Sequence, residues 1–549
     1  MSAGKSLTAI VLARDGYRCL ACAAPGRTAA TDVHPLLLDQ APSPPSPADY
    51  VTLCPSCAQR HLQQTHPPGS QGLFERALRR LALYLDRGLE LPPSLARVST
   101  GLRLLGASRL RAGQFAVVLA ALRGQSVLMI SPTGSGKTLC FQLPTLVQDR
   151  GAFVISPLKA LMSEQTHDLQ ARRIPSTFIH GDVTPAEKYR RYGWLADQAV
   201  KFFYCTPERF DDTRVRPAEV DRLLAARPRF LIIDEAHCID RWGDDFRPSY
   251  SRLGEVRAKL GNPTVLAFTA TAGYKTQQRI VQSLGIPDAQ VVVTGVDRPN
   301  IALLRLSIEH DEARFDAITT LLDLLPAGRA MIFVPTIRVG ERIQAGLRTR
   351  GFDIPFYHSK IQEAEVRAEL LDRFMGRRGP TTRAILCTSA FGMGIDVADV
   401  RLVIHWQHPA SVEDYLQEFG RAGRDRRQAL AVLFRGANDV SLLRFMATKT
   451  VDNAGLEPAA RSLALQAKLA TIDDMHQLAN QRHGCMRAGI LRYFTGDAPP
   501  PRKSVGLRIL EWLYEQPRPT ARTTYCCDDC DRVALHNYPA WVRTVFRRV

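Results

Sequence analysis

The chain has 549 residues, of which 45% are hydrophobic and 23% charged. That composition describes a globular protein of about three or four domains rather than a disordered or fibrous one. No run of about 18 apolar residues occurs, so no transmembrane helix is expected. Met1-Ser2-Ala3-Gly4-Lys5 is not followed by an apolar stretch long enough for a secretory signal, and a cytoplasmic location is expected. A formal net charge of +18 points to a polyanionic partner, most simply nucleic acid. Of the twelve cysteines, Cys140, Cys205, Cys238 and Cys387 sit in apolar segments and read as buried thiols. The other eight form clusters near the two ends.

The first cluster is Cys19-Leu20-Ala21-Cys22 and Cys54-Pro55-Ser56-Cys57. Two CxxC knuckles can close a tetrahedral thiolate site on Zn2+ and hold a small module together. The segment resembles the HNH endonuclease family, with His34 where that family has its general base. Asp49 stands in place of the family's Asn and Ala58 in place of its last His, with His61 three residues on. The resemblance therefore implies a structural or DNA-targeting zinc finger over residues 1–70 rather than an active nuclease. Residues 71–98 read as a linker with a connecting helix, because Leu78, Leu81 and Leu85 recur at helical spacing.

From residue 99 to 297, apolar runs alternate with amphipathic helices: Val127–Ile130, Phe153–Ile155, Phe202–Tyr204, Phe230–Ile233 and Val265–Phe268. This rhythm implies a parallel sheet wrapped by helices, with ligands at the carboxyl ends of the strands. After the first run comes Ser131-Pro132-Thr133-Gly134-Ser135-Gly136-Lys137-Thr138. It is a phosphate-binding loop in context, although the usual first Gly is Ser131. Thr133 to Gly136 supply backbone N–H groups, Lys137 a cation for the outer phosphates, and Thr138 a hydroxyl for Mg2+. After the Phe230–Ile233 run comes Asp234-Glu235-Ala236-His237. Asp234 is placed to orient Mg2+, Glu235 to polarise the attacking water, and His237 to couple nucleotide state to its neighbours.

Further segments make the family specific. Leu110-Arg111-Ala112-Gly113-Gln114, Ser156–Met162, Thr206-Pro207-Glu208-Arg209, Phe268–Ala272 and the aromatic-rich Cys238–Tyr250 resemble, in order, five motifs of RecQ-type superfamily 2 DNA helicases. The resemblance implies adenine recognition by Arg111 and Gln114, and strand contact by the next two segments. It implies coupling of hydrolysis to movement by Phe268–Ala272, and DNA sensing by Trp242, Phe246 and Arg247. Trp242 and Phe246 suit base stacking. The family has His where Asp244 stands.

Arg298-Pro299-Asn300-Ile301 resembles the family's crossing into a second lobe, 298–436, with strands at Ala330–Val334, Ala384–Cys387, Leu402–His405 and Ala429–Phe434. In Gln417–Asp425, Arg424 is the first candidate for an arginine finger and Arg421 for a γ-phosphate contact. The region 437–549 contains His483–Phe494, which resembles the helix opening the RecQ zinc subdomain. Cys485, Cys527 and Cys530 match that subdomain's ligands, and Cys526 or His536 is the candidate fourth.

The expected architecture is α/β, with two tandem RecA-like parallel-sheet lobes and small zinc-binding modules at both ends. The expected activity is ATP-dependent, Mg2+-requiring helicase or translocase action on single-stranded and forked DNA. Its 3′-to-5′ polarity is implied only by the resemblance. Two rivals remain at this stage: a nuclease fed by the lobes, and an ATP-gated DNA clamp that does not unwind.

Overall fold

The computed structural model describes residues 11, 13, 14, 32–35, 50–53, 97–132, 134–211, 215–239, 248–325, 327–361, 363–377, 382–389, 397–453, 457–481, 484–497, 508, 511, 514, 525–533 and 537–547. They fall into two compact units. The first holds the described residues up to 239, residues 248–294, and Arg508, Glu511 and Tyr514; the second holds 295–497 and 525–547.

The N-terminal module contributes β1 (Asp32–Pro35) and β2 (Tyr50–Leu53), an antiparallel pair with His34 opposite Val51. Val51 and Leu53 are buried in the core of the first unit. Buried Arg14 donates to the carbonyls of Ala199 and Tyr50, each at 2.8 Å. The expected connecting helix lies outside the described residues.

The first unit is built on seven strands: β3 (Val127–Ile130), β4 (Ala152–Ile155), β5 (Ser176–Ile179), β6 (Phe202–Cys205), β7 (Phe230–Ile233), β8 (Thr264–Thr269) and β9 (Gln290–Val293). All pairings are parallel, in the order β5-β6-β4-β7-β8-β3-β9. Every residue of β3, β4, β6 and β7 is buried, as a sheet covered on both faces requires. The two strands absent from the sequence reading, β5 and β9, are the two edges. In β5, Ser176 and Thr177 interrupt the hydrophobic signal, whereas β9 carries the short apolar run Val291–Val293. The order also places β8 between β3 and β7, so the loops that leave β3 and β7 flank the end of β8.

The second unit is a six-stranded parallel sheet: β10 (Ile301–Ser307), β11 (Arg329–Phe333), β12 (Phe356–Tyr357), β13 (Ala384–Cys387), β14 (Val400–His405) and β15 (Ala429–Arg435), in the order β10-β15-β14-β11-β13-β12. β10 went unread in the sequence because a charge sits in its middle. Arg305 is buried there with its Nε 3.0 Å from the Asp528 carboxylate. The residues around Asp528 extend the sheet at this edge: Leu303 N–H donates to Cys526 O at 3.2 Å, and Asp528 N–H donates to Leu303 O at 3.0 Å. Helices at Asp439–Asn453, Pro458–Asn480, Met486–Thr495 and Tyr538–Phe546 complete the unit. Among the described residues, no helix is long and apolar enough to cross a membrane.

The C-terminal stretch expected as one region, 437–549, supplies both units. Tyr514 is buried in the core of the first. Its ring stacks on Phe115 at 5.0 Å between centroids and 5° between planes. Its carbonyl accepts from Leu110 N–H at 2.8 Å. Tyr514→Ala should therefore destabilise the first unit by about 3 kcal/mol, while Tyr514→Phe keeps most of the stability. Denaturant unfolding of the full chain checks this; an unchanged midpoint for Tyr514→Ala would contradict the packing.

Candidate functional site

β3 delivers the chain to the carboxyl edge of the first sheet at Ser131. Two neighbouring strands pin that residue. Its N–H donates to Thr269 O at 3.0 Å, and Thr294 Oγ1 donates to its Oγ at 3.0 Å. The loop then turns through Gly134 and Gly136, at φ +76° and +82°, a region glycine enters without steric cost. A Cβ on Gly136 would stand 2.8 Å from Gln114 Nε2, whereas one on Gly134 would meet open space. Lys137 and Thr138 open the helix Lys137–Val147, so the loop ends on the positive end of a helix dipole. Ser135 Oγ is buried without a hydrogen-bond partner. A concave loop, a lysine and an orphan hydroxyl fit a phosphate chain.

Gln114 and Arg111 brace this loop from below. Gln114 is buried, and its Nε2 donates to the carbonyls of Ser135 and Gly136, both at 3.0 Å. Its Oε1 accepts from Arg111 N–H at 2.6 Å, and the Arg111 guanidinium donates to Gly134 O. In this arrangement the Gln114 amide serves the loop itself, a role the spacing did not suggest.

Asp234 and Glu235 follow β7. Glu235 holds a left-handed backbone, φ +50°, which a non-glycine residue adopts at a cost. The Asp234 carboxylate accepts from Glu235 N–H at 3.0 Å. Burial, and then the neighbouring Glu235 charge, raise the Asp234 carboxyl to about 6, while Lys137 favours its ionised form. A largely buried carboxylate whose neighbours do not fully compensate it is a ready cation ligand. His237 Nδ1 lies 2.9 Å from Thr269 Oγ1 and 3.2 Å from Glu235 Oε2. Thr269 Oγ1 in turn donates to Thr271 O at 3.1 Å. The end of β8 thus touches both the phosphate-loop start and the acidic turn. Lys137, Thr138, Asp234, Glu235, His237, Arg111 and Gln114 lie along one edge of one sheet.

Arg209 behaves differently from its expected strand contact. It is buried, donating to Tyr192 Oη at 2.8 Å and to the Glu219 carboxylate, so its guanidinium is committed to packing.

In the second unit, Arg421 and Arg424 follow the helix Val412–Phe419. Burial, and then the charge of Arg424, lower the Arg421 guanidinium, and the same two causes bring Arg298 down to about 10. Arg424 thus disfavours the charge of both Arg298 and Arg421, an effect that Glu418 opposes at Arg421 and that a bound anion would relieve. Arg298 and Asn300 hydrogen-bond the carbonyls of this turn. Beneath it, buried His405 Nε2 lies 2.9 Å from the Glu418 carboxylate, whose pKa burial raises.

The C-terminal cysteines converge. The sulfurs of Cys485, Cys526, Cys527 and Cys530 all lie within 4.8 Å of one another. Cys485 Sγ is 3.5 Å from Cys526 Sγ and 3.9 Å from Cys527 Sγ. Tetrahedral zinc with Zn–S bonds of about 2.3 Å sets its sulfurs about 3.8 Å apart, so these four fit the ion. Cys526, out of register in sequence, takes a place in the cluster; His536 lies outside the described residues. So do Cys19, Cys22, Cys54 and Cys57, the His34 side chain, Thr133, and Trp242, Phe246 and Arg247.

Comparison with known proteins agrees with this geometry. Residues 111–280 match the DEAD/DEAH box helicase family and residues 313–426 the helicase conserved C-terminal domain. The chain is 35% identical over 361 residues to an ATP-dependent DNA helicase RecQ of Haemophilus influenzae, covering 66% of this chain and 56% of that protein. It is 33% identical over 341 residues to the probable ATP-dependent DNA helicase RecS of Bacillus subtilis, covering 62% of this chain and 67% of that one. With the RecQ helicase of Synechocystis sp. it shares 33% identity over 331 residues, covering 60% of this chain and 68% of that protein. The chain spans little more than half the length of the Haemophilus relative and about two thirds of the other two. On the two sheets, the strand-end sites and these matches, the chain belongs to the RecQ family of ATP-dependent DNA helicases.

Proposed function

We propose that the chain is an ATP-driven DNA helicase or translocase that moves on single-stranded DNA and opens forked duplexes. The observation that carries this reading is the strand-end set of Lys137, Asp234 and Glu235 on one sheet, together with the arginine turn of 421–424 on the other. Lys137 holds the outer phosphates. The Thr138 hydroxyl and the Asp234 carboxylate hold Mg2+, which when bound neutralises charge on the transferring phosphoryl group. Glu235 orients and polarises the attacking water. Arg421 and Arg424 supply positive charge as the leaving oxygen becomes negative. His237 links this turn to Thr269 and Thr271, the segment expected to couple hydrolysis to movement.

The family resemblance supports 3′-to-5′ polarity and DNA contact by Trp242, Phe246 and Arg247. The net charge of +18 supports backbone binding that weakens with salt. We assign one structural zinc to Cys485, Cys526, Cys527 and Cys530, and a second, on CxxC spacing alone, to Cys19, Cys22, Cys54 and Cys57. The incomplete HNH set disfavours the nuclease reading. Separation of a forked duplex distinguishes a helicase from an ATP-gated clamp.

Lys137→Ala and Glu235→Gln should each lower ATP turnover stimulated by single-stranded DNA by at least about a hundredfold, the scale of losing one preorganised charge-stabilising group. Normal turnover in both refutes the assignment of the site. For the metal, elemental analysis should find two zinc ions per wild-type chain and one in Cys527→Ser. Equal zinc in both proteins would remove the C-terminal assignment.

A further inference from the structure

The arginine turn is held partly from outside itself. Its carbonyls are gathered by two side chains from the segment that enters β10. Arg298 Nη1 donates to Gly420 O at 2.6 Å, and Nη2 donates to Ala422 O at 2.9 Å and Gly423 O at 3.3 Å. Asn300 Nδ2 donates to Gly423 O at 2.8 Å and to Arg427 O at 2.9 Å, while its own carbonyl accepts from Ala429 N–H at 2.9 Å. The fit is close. Gly423 stands at φ +55°, and a Cβ there would lie 2.3 Å from Asn300 Nδ2.

The segment that carries this clamp is itself fastened. Arg487 Nη1 donates to Asp297 Oδ1 at 3.0 Å and Arg298 O at 2.8 Å, and Nη2 donates to Ile301 O at 2.5 Å and Cys526 O at 3.4 Å. Arg487 lies two residues beyond Cys485, on the helix that begins beside the cysteine cluster. A continuous run of hydrogen bonds therefore joins the cysteine module to residues 297–301, and those residues to the turn of Arg421 and Arg424.

We propose that Arg298 and Asn300 are positioning residues for the arginine turn, and that Arg487 anchors them to the cysteine module. The proposal rests on the reading of Arg421 and Arg424 as the groups that meet the transferring phosphoryl. Arg424 repels both Arg298 and Arg421, so the backbone that carries Arg421 and Arg424 must be fixed from outside. Arg298 fixes it by bonding to carbonyls on both sides of Arg421, and Asn300 by spanning Gly423 and Arg427 across Arg424. Misplacement by about an ångström removes interactions made only in the transition state, so it lowers kcat and leaves ground-state binding intact. Lysine cannot replace Arg298, because a point-like ammonium does not reproduce a planar fork that reaches three carbonyls.

The test uses the full chain with saturating single-stranded DNA. Arg298→Lys and Asn300→Ser should each lower kcat for ATP at least tenfold, with KM for ATP and DNA affinity within twofold of wild type. Affinity for ADP with aluminium fluoride should fall by the same factor as kcat, while affinity for ADP alone stays put. Arg487→Gln should lower kcat severalfold with its zinc content unchanged. Should Arg298→Lys fail to fold, Asn300→Ser decides. Wild-type kcat in the folded variants, or a KM that rises in step with any loss, overturns the positioning role. Arg421→Ala and Arg424→Ala serve as controls. If both keep wild-type kcat, the arginine-finger reading itself falls; if they lose it while the clamp variants do not, only the clamp inference falls.

Discussion

A triphosphate carries more negative charge than a loop of backbone amides can hold, so cations must be fixed around it before it arrives. The structure meets this constraint with the apposition of Lys137 and Asp234 at the carboxyl edge of one sheet. Burial makes Asp234 costly to ionise, and Lys137 offsets only part of that cost. An acid in that condition gains from a divalent cation, and the phosphate loop beside it gains from the same ion. The neighbouring strand β8 keeps these groups in register. β8 lies between β3 and β7, and its last residue, Thr269, contacts Ser131 and His237 together.

The second unit solves a related problem with the opposite sign. Arg424 disfavours the charge of both Arg298 and Arg421. The turn of Arg421 and Arg424 is held by side chains that donate to its main-chain carbonyls, alongside the Asp425 carboxylate, which pairs with Arg401 and accepts from Arg427 N–H. Arg298 contributes that support at three oxygens. The sequence segment 298–301 had been read only as the crossing between lobes.

Chemistry encoded in contiguous residues was legible in the sequence. The phosphate loop and the Asp234–His237 turn each sit on a few adjacent positions after a buried strand, and the structure places them at strand ends; the Arg421–Arg424 turn is equally contiguous but follows the helix Val412–Phe419. The central strands were legible for the same reason, being uninterrupted apolar runs. Features that depend on distant partners were not. Arg305 concealed β10 because its partner Asp528 lies 223 residues away in sequence. Arg209 looked available for DNA because nothing local reveals Tyr192 and Glu219. The loop-bracing role of Gln114, the packing of Tyr514 on Phe115, and the place of Cys526 among the metal-ligating sulfurs all arise from tertiary contacts that spacing does not encode. β5 is hard to read because an edge strand tolerates polar residues such as Ser176 and Thr177; the three valines of β9 carry an apolar signal.

The central claim is that Lys137 and the turn of Arg421 and Arg424 act on the same nucleotide. A crystal structure of the full chain with Mg2+, a non-hydrolysable ATP analogue and single-stranded DNA tests this most directly. It should place a guanidinium of Arg421 or Arg424 about 3 Å from a γ-phosphate oxygen, across from the Lys137 ammonium. A γ-phosphate held by the first unit alone, with both arginines directed elsewhere, would contradict it.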